Sequence, residues 1–317
     1  MWYGSYKYST WLNIYMEFKP IPCHESLRLF IRNYWMLSSW CTATGTQQIF
    51  SNGAASLQFY LSQDIRIDDG DRRYSTVLYH QNMQKVGVVT EEGAFNTFGV
   101  EFVPFCSRVF FPSEMTGGYA SPEDMNDDAF AMLSRTVHKT ERTEDRVSLL
   151  DDFFLKRLAQ FPEGDINMER LSDVFDDIVP TDGSTAHPPH CQNEFSPADL
   201  ASTACLSQKQ FTRVFNKYVG MNPKSYLRLL RFHKALMEIQ SSSDKSSAKA
   251  SSEGGASLTN IACSCGYYDL AHMASDFRDI CGFSPSELIR HGGELTEAFG
   301  QQFSGLMKKK IKIENLI

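Results

Sequence analysis

Hydrophobic positions alternate with polar ones along the first third of the chain. Apolar residues recur at nearly every second position in residues 49–62, after an Asn-Gly turn signal. Residues 85–105 carry two such runs, on either side of a Glu-Glu-Gly sequence. Alternation interrupted by glycine-containing turns is typical of antiparallel strands. We therefore expect a β-rich sandwich or barrel over residues 17–120.

The spacing of apolar residues changes to a helical period over residues 121–178. Two sets fall at helical spacing, first Phe130, Leu133 and Val137, and then Val147, Leu150, Phe154 and Leu158. Charged residues occupy most of the other positions. We expect two amphipathic helices joined near residues 139–145. These helices either pack only on their own β-domain or also pair with a second copy of the chain in a homodimer.

A further helical pattern begins after Ser207, a residue type that commonly caps helix N-termini. Its apolar face consists of Phe211, Val214, Phe215 and Tyr218. Its donor-rich face consists of Lys209, Thr212, Arg213 and Asn216. A helix that buries one face and presents donors on the other suits the major groove of DNA. Residues 199–204 predict a preceding helix and residues 205–207 a tight turn, which together give a helix-turn-helix.

The helix-turn-helix pattern occurs twice in the chain. Three landmarks recur 62 positions later, Phe215 as Phe277, Gly220 as Gly282 and Pro223 as Pro285. Residues 257–285 again predict a helix, a glycine turn and a second helix, which Asp269 caps. Asn222 and Ser284 have the form of caps that precede a proline at the first helical position. Two units joined by a helix over residues 223–239 can enter adjacent major grooves of one duplex.

Positive charge is concentrated on this part of an otherwise acidic chain. The formal net charge of the 317 residues is −7. Residues 200–237 contain no Asp or Glu, and their cations are Lys209, Arg213, Lys217, Lys224, Arg228, Arg231 and Lys234. A solvated helix face usually mixes both signs. The imbalance therefore favours a surface for nucleic-acid phosphate over an ordinary solvated helix.

Segments of low complexity divide the rest of the chain. Residues 179–194 are rich in proline and polar residues and predict a linker. The serine-rich residues 241–257 lack apolar anchors and predict a disordered insertion. Residues 195–291 are then the C-terminal domain, and residues 292–317 form a tail that ends in a lysine cluster.

The composition gives no indication of export or of a membrane span. No apolar run approaches the roughly 18 residues that a membrane helix needs. The aromatic and polar start does not have the form of a secretory signal. We expect residues 1–15 to be a loosely attached extension before Met16, and the protein to be cytoplasmic.

The eight cysteines are scattered, so free thiols are expected in a cytoplasmic protein. Cys263 and Cys265 lie within a helix-like apolar pattern. His187, His190 and Cys191 lie in the predicted linker, where solvated side chains are more common than metal ligands. We therefore expect neither a metal site nor a cofactor.

The C-terminal motifs resemble those of the AraC/XylS family of bacterial transcription regulators. The resemblance rests on DLA, LSQKQFTRVFNKYVGMNPKSYLRLLRF, LTNIACSCGYYDLAHM and FRDICGFSPSEL, which occur in order within residues 195–290. It extends into residues 20–120 through IRNYW, IFSNGAASLQFYL and FGVEFVPFCSRVFF. It implies an α+β chain with a cupin-like N-terminal barrel for ligand sensing or dimerisation. It also implies a C-terminal domain that binds promoter DNA and regulates through contact with RNA polymerase.

The same resemblance assigns base contacts in the first unit to Gln208, Lys209, Thr212 and Arg213. The equivalent positions of the second unit are Leu270, Ala271, Ala274 and Ser275, where the family commonly has polar or cationic residues. Only His272 and Ser275 can donate hydrogen bonds there, and the nearby Asp276 and Asp279 would repel phosphate. We expect the second unit to dock on DNA with an apolar contact to a thymine methyl and little base reading. Candidate phosphate contacts are Asn216, Lys217, Lys224 and Arg228.

Other classes of function fit the sequence less well. A cupin metalloenzyme needs clustered histidines, whereas the N-terminal region contains only His24 and His80. A DNA-repair protein with a methyl-accepting cysteine needs a four-cysteine zinc site, which Cys23, Cys41 and Cys106 do not supply. We therefore expect no enzymatic activity. An interaction protein on the same fold that has lost DNA binding stays open, because the chain is acidic and its second unit has few donors.

A small-molecule site in the N-terminal domain is a further hypothesis. Aromatic side chains of the barrel could surround it, namely Phe50, Phe59, Phe98 and Phe102, with Glu101 as a polar anchor. A glutamate in a strand is more often an outward, solvated residue. The pattern indicates no class of ligand, so the effector stays open.

Overall fold

The computed structural model describes residues 4–6, 16–41, 44–49, 51, 53–68, 70–80, 86–112, 118–161, 165–178, 195–247 and 257–291. The chain divides into two compact units. The first takes residues 1–165 together with Tyr218–Gly220, and the second takes residues 166–217 and 221–317. Strands dominate the first unit and helices the second, so the predicted α+β class is confirmed.

Two antiparallel sheets build the first unit. One has the order Gly4–Tyr6 (β1), Gly45–Ile49 (β4), Val86–Thr90 (β9), Ile65–Ile67 (β6) and Arg73–Tyr74 (β7). The other has the order Tyr119–Ala120 (β11), Thr76–Tyr79 (β8), Ser56–Tyr60 (β5), Gly93–Phe102 (β10), Ile31–Cys41 (β3) and Met16–Ile21 (β2). The two strands predicted around the Glu-Glu-Gly sequence are β9 and β10, and this turn carries the chain from one sheet to the other.

Strand β1 corrects the expectation of a loosely attached extension over residues 1–15. Its backbone pairs antiparallel with β4, with Ser5 opposite Gln47. A strand added to a sheet edge satisfies backbone donors and acceptors that the edge would otherwise leave unpaired. This part of the N-terminal segment therefore belongs to the sheet.

The two sheets share one hydrophobic core. Residues from the facing sides of the strands form it, including Trp35, Leu37, Tyr60, Val88 and Phe95. The intervening residues of β5 and β10 lie on the other side of their sheet, because successive side chains of a strand alternate between its faces. On that side Phe102 packs on Phe154, with ring centroids 5.7 Å apart.

A glycine in β10 allows a tryptophan to lie directly on the backbone. Gly99 is opposite Trp35 in the β3–β10 pairing. A Cβ atom built on Gly99 would lie 2.0 Å from Cε2 of the indole, far inside van der Waals contact. The core therefore leaves no room for any side chain at this position.

Helices cover the outer side of the second sheet. They are Ser107–Phe110 (α1), Asp128–Lys139 (α2) and Thr143–Leu158 (α3), and a 3-10 turn at Glu25–Leu27 precedes β3. The predicted amphipathic pair is confirmed as α2 and α3, whose Phe130, Val137, Leu150 and Phe154 are fully buried. The pair packs on its own sheet, where Thr76 and Ser134 share a hydrogen bond of 2.7 Å. Pairing with a second copy of the chain stays a prediction.

Arg157 ties the helices of the first unit together. Its guanidinium donates two hydrogen bonds to the Asp127 carboxylate, at 2.7 and 2.6 Å, and a third to the Phe110 carbonyl at 2.5 Å. It also lies 4.3 Å above the ring of Phe153. Asp127 is itself the cap of α2, since it accepts the N–H of Phe130 at 3.0 Å. One side chain of α3 therefore holds the start of α2 and the end of α1.

The second unit begins earlier than the sequence pattern predicts. Ile166–Ile178 (α4) lies in this unit. The helical spacing of its apolar residues had placed it instead in the predicted segment 121–178. The Phe175 ring stacks on Phe215 with centroids 6.0 Å apart and meets Tyr226 at 5.3 Å. The predicted linker at 179–194 lies outside the described residues. It joins two helices of the same unit, α4 and the helix that starts at Pro197.

The other helices of the second unit are Pro197–Thr203 (α5), Gln208–Val219 (α6), Pro223–Ser247 (α7), Leu258–Ser264 (α8), Leu270–Cys281 (α9) and Pro285–His291 (α10). Helix α7 corrects the predicted start of the disordered insertion at residue 241, because it continues to Ser247. Extending an existing helix costs little per residue, so even a serine-rich sequence can continue it. Residues 248–256 and the tail at 292–317 lie outside the described residues. None of the described helices is long and apolar enough to span a membrane.

Candidate nucleic-acid interface

The first helix-turn-helix consists of α5 and α6. A capping box starts α5, in which Ser196 and Asp199 bond each other's backbone N–H groups. The turn contains Cys205 in the left-handed conformation (φ 51°). The predicted cap Ser207 is confirmed, since its Oγ accepts the N–H of Gln210 at 3.4 Å. The Gln210 side chain accepts the Ser207 N–H in return at 3.2 Å, a reciprocal cap that the sequence reading missed.

Helix α6 separates an apolar face from a donor face as its sequence predicts. Phe211 and Phe215 are fully buried, with ring centroids 5.4 Å apart. An open groove on the other side is lined by Pro197, Gln208, Lys209, Thr212, Arg213 and Asn216. The structure therefore brings the four predicted base-contacting residues of the first unit together on one exposed surface. Thr212 is the least exposed of them, and its hydroxyl donates to the Gln208 carbonyl at 2.8 Å.

The charge of this surface is positive. Lys209, Arg213, Lys217 and Lys224 are exposed. Among the described residues, no carboxylate pairs with Lys209 or Arg213. Their charges are therefore directed to solvent, where a phosphate backbone would meet them.

The second helix-turn-helix consists of α8 and α9. Gly266 provides the left-handed residue of its turn (φ 81°). The predicted cap Asp269 is confirmed, because its carboxylate accepts the N–H of His272 at 2.7 Å. The two predicted caps before proline are confirmed as well, with Asn222 accepting from Ser225 and Ser284 from Glu287. The duplicated pattern thus corresponds to two complete units.

The outer face of α9 offers few donors. Ala271, His272 and Ser275 are exposed, while Leu270 and Ala274 are half-buried. His272 and Ser275, the two predicted donors, lie on the same exposed side of the helix. This surface carries much less hydrogen-bonding capacity than that of α6.

Arg228 has carboxylate partners that the sequence reading did not anticipate. Its Nε lies 2.6 Å from Asp276 Oδ1, and a terminal nitrogen lies 2.5 Å from Asp279 Oδ2. Partial burial lowers the pKa of Arg228, but hydrogen bonds to the two carboxylates outweigh this and raise the pKa overall. The predicted phosphate contact is thus engaged within the protein. The same pairing offsets the two negative charges that were expected to repel phosphate.

The residues that were predicted to line a small-molecule site in the first unit are divided between two faces of a sheet. Phe59, Phe98 and Phe102 are fully buried on the side covered by the helices. Glu101 points to the other face of β10 and forms an ion pair with Arg32 at 3.1 Å. The side chain of Glu101 is 15% exposed and that of Arg32 14%. Residues an odd number apart on a regular strand point to opposite faces, so Glu101 lies on the face away from Phe98, and its role as a polar anchor stays a prediction. Phe50 lies outside the described residues.

The described cysteines are free thiols, among them an exposed Cys263 and a buried Cys265. His187, His190 and Cys191 lie outside the described residues. Within the described ranges, no three His, Cys, Asp or Glu side chains are grouped closely enough to hold a metal ion.

Comparison with known proteins matches the two parts of the chain separately. A helix-turn-helix domain family matches residues 200–291, and a domain of unknown function (DUF6597) matches residues 19–117. The HTH-type transcriptional activator RhaS of Escherichia fergusonii is 34% identical over 93 residues, 29% of either chain. The HTH-type transcriptional regulator ArgR of Pseudomonas aeruginosa is 28% identical over 101 residues, 31% of this chain and 27% of that one. The matches thus span less than a third of these relatives.

Among solved structures, ToxT of Vibrio cholerae O395 is 13% identical with a TM-score of 0.43, over 82% of this chain and 98% of that one.

Proposed function

We propose that this chain is a sequence-specific transcriptional regulator of the AraC/XylS type that binds promoter DNA, and the match of residues 200–291 to a helix-turn-helix domain family supports this. The observation that carries the proposal is the exposed groove of α6. Gln208, Lys209 and Arg213 lie on it together, and the opposite face of the helix buries Phe211 and Phe215 fully and Val214 in part. A helix of this kind can enter the major groove and present its donors to base edges.

In this proposal the first unit supplies most of the sequence reading. Arg213 and Lys209 are suited to guanine, and Gln208 to adenine, because their donors match the acceptors on those base edges. Asn216, Lys217 and Lys224 contact phosphates and fix the register of the helix. His272 and Ser275 supply the few polar contacts of the second unit.

The N-terminal unit serves in ligand sensing, in dimerisation or in both. The chain acts in the cytoplasm, regulates through contact with RNA polymerase and catalyses no reaction. Helices α2 and α3 are the proposed surface for a homodimer. A monomer in analytical sedimentation at micromolar concentration would count against that part of the proposal.

Arg213→Ala should weaken binding to the cognate site by about 1–3 kcal/mol and relax the preference at one base. The side chain is exposed on the donor face, so the loss reflects the DNA contact and not the fold. Binding is measured by titrating labelled duplexes that carry each of the four bases at the contacted position. Lys19→Ala, which removes an exposed cation from β2, is the matched control and should leave affinity unchanged. Equal binding by Arg213→Ala and the parent at the mapped site would refute the assigned face.

The function itself is tested by random-site selection on duplex DNA with the full chain, followed by affinity at two salt concentrations. An enriched motif whose affinity falls steeply with salt supports a sequence-specific regulator. The length of the motif tells whether one or both units read bases. No enriched motif, with weak binding that ignores salt, would instead support an interaction protein that has lost DNA binding.

A further inference from the structure

The turn of the second unit contains one residue more than the turn of the first. In the first turn the N–H of Leu206 bonds the Ala201 carbonyl at 2.9 Å, and the cap of α6 follows directly. In the second turn the N–H of Tyr267 makes the same bond to the Ala262 carbonyl at 2.9 Å. Tyr268 then intervenes before the cap of α9. It is therefore the inserted residue, with no counterpart in the first unit.

This inserted residue is exposed to an unusual degree. Tyr268 has 90% of its surface accessible, and no other large hydrophobic residue in the described part of the chain exceeds the 64% of Met132. The ring does not pack against the rest of the fold. Its exposure therefore forgoes the stabilisation that burying the phenol would give. An aromatic ring this exposed, at the start of a proposed recognition helix, is available to a partner, and tyrosine is enriched at interfaces because it combines an apolar ring with a polar hydroxyl.

The backbone of Tyr268 is held in place although its side chain is free of the core. Its N–H donates to Nδ1 of His272 at 3.4 Å, and the Asp269 carboxylate holds the N–H of His272. The His272 ring in turn packs edge-on against the buried Tyr267, with centroids 5.3 Å apart. The Tyr268 side chain thus starts from a fixed point at the N-terminal end of α9, the end that approaches the groove in helix-turn-helix proteins.

We propose that Tyr268 is a DNA-contacting residue that docks the second helix-turn-helix unit on the sugar-phosphate backbone. Its ring packs on a deoxyribose at the edge of the groove, and its hydroxyl donates a hydrogen bond to a phosphate oxygen. The contact supplies area and a donor that the outer face of α9 lacks. The proposal rests on the proposed function, since it requires DNA as the partner.

The test compares Tyr268→Ala and Tyr268→Phe with the parent protein on the motif that the parent selects. Tyr268→Ala should lower affinity about tenfold, because it removes both ring and hydroxyl, and Tyr268→Phe should lower it about threefold. Hydroxyl-radical footprints should lose protection at the second half-site and keep it at the first. Because tyrosine is uncharged, the dependence of affinity on salt should stay as in the parent, whereas Arg213→Ala should reduce it by about one phosphate contact.

Two controls separate the possible results. Ile289→Ala removes another exposed apolar side chain from the same unit and should change neither affinity nor footprint. Thermal unfolding should be unaltered in the Tyr268 variants, since so exposed a side chain contributes little to stability. A parent that selects a motif, with Tyr268→Ala binding it equally well, overturns this inference and leaves the proposed function intact. A parent that selects no motif overturns both.

Discussion

Arg157→Ala is expected to destabilise the N-terminal unit by about 3 kcal/mol. The substitution leaves the Asp127 carboxylate and the Phe110 carbonyl without the donors that now satisfy them. Removing one partner of a buried ion pair costs about 3–5 kcal/mol, and the exposures of 16% and 22% for Arg157 and Asp127 place this pair at the lower end. The cation above the Phe153 ring is lost as well.

The chain itself provides a selective probe for this measurement. All four tryptophans precede residue 42, in the N-terminal unit, so tryptophan fluorescence during urea denaturation follows that unit. Arg157→Lys keeps the positive charge but loses the paired N–H donors of the guanidinium. Its stability should therefore lie between those of the parent and Arg157→Ala. The matched control is Arg142→Ala, whose ion pair with Glu144 is exposed at both ends and should contribute less than about 0.5 kcal/mol. A loss for Arg157→Ala no larger than for Arg142→Ala would contradict the role given to this side chain.

Gly99→Ala should destabilise the same unit by about 3 kcal/mol, at the upper end of what overpacking a core costs. The added methyl group would lie 2.0 Å from the Trp35 indole, a rigid ring in the shared core of the two sheets. The indole must move away from β10, or the strands must separate locally. The change should be visible as a lower urea midpoint in the fluorescence transition.

A second substitution tests the cause of that loss. Trp35→Phe should cost stability in the parent, because it leaves a void, but should cost much less in the presence of Gly99→Ala. The double-mutant cycle should therefore give an interaction free energy of about 1–3 kcal/mol. Gly70→Ala is the comparison, since its new Cβ would lie 3.2 Å from the Ile67 carbonyl, a contact that a small shift relieves. Additive effects of the two core substitutions would show that the indole is not what excludes a side chain at Gly99.

Local features of this protein follow from its sequence with few errors. The caps Ser207, Asn222, Asp269 and Ser284 are all confirmed. So are the two faces of α6. Each depends on residues three or four positions apart, within one turn of helix, where spacing alone determines which side chains are neighbours.

Relationships over longer distances could not be predicted in the same way. Arg228 meets Asp276 and Asp279 across about fifty residues, and no periodicity connects two helices that pack side by side. The ion pair of Glu101 with Arg32 was equally hidden, because it joins residues that are 69 positions apart in the sequence. The end of α7 was misplaced because its serines predict a loop, while the preceding helix continues through them.

The packing of α4 determines which part of this gene product could be exchanged as a module. Recombination between related chains preserves stability when it cuts where few contacts are broken. A cut at the proline-rich stretch 179–194 would separate Phe175 from Phe215 and Tyr226, and so divide an aromatic cluster between two parents. A cut within residues 159–165, between α3 and α4, would keep that cluster whole. The stretch that looks most like a boundary in the sequence thus connects α4 and α5 of one unit, whereas the division between the two units falls at residues 165–166.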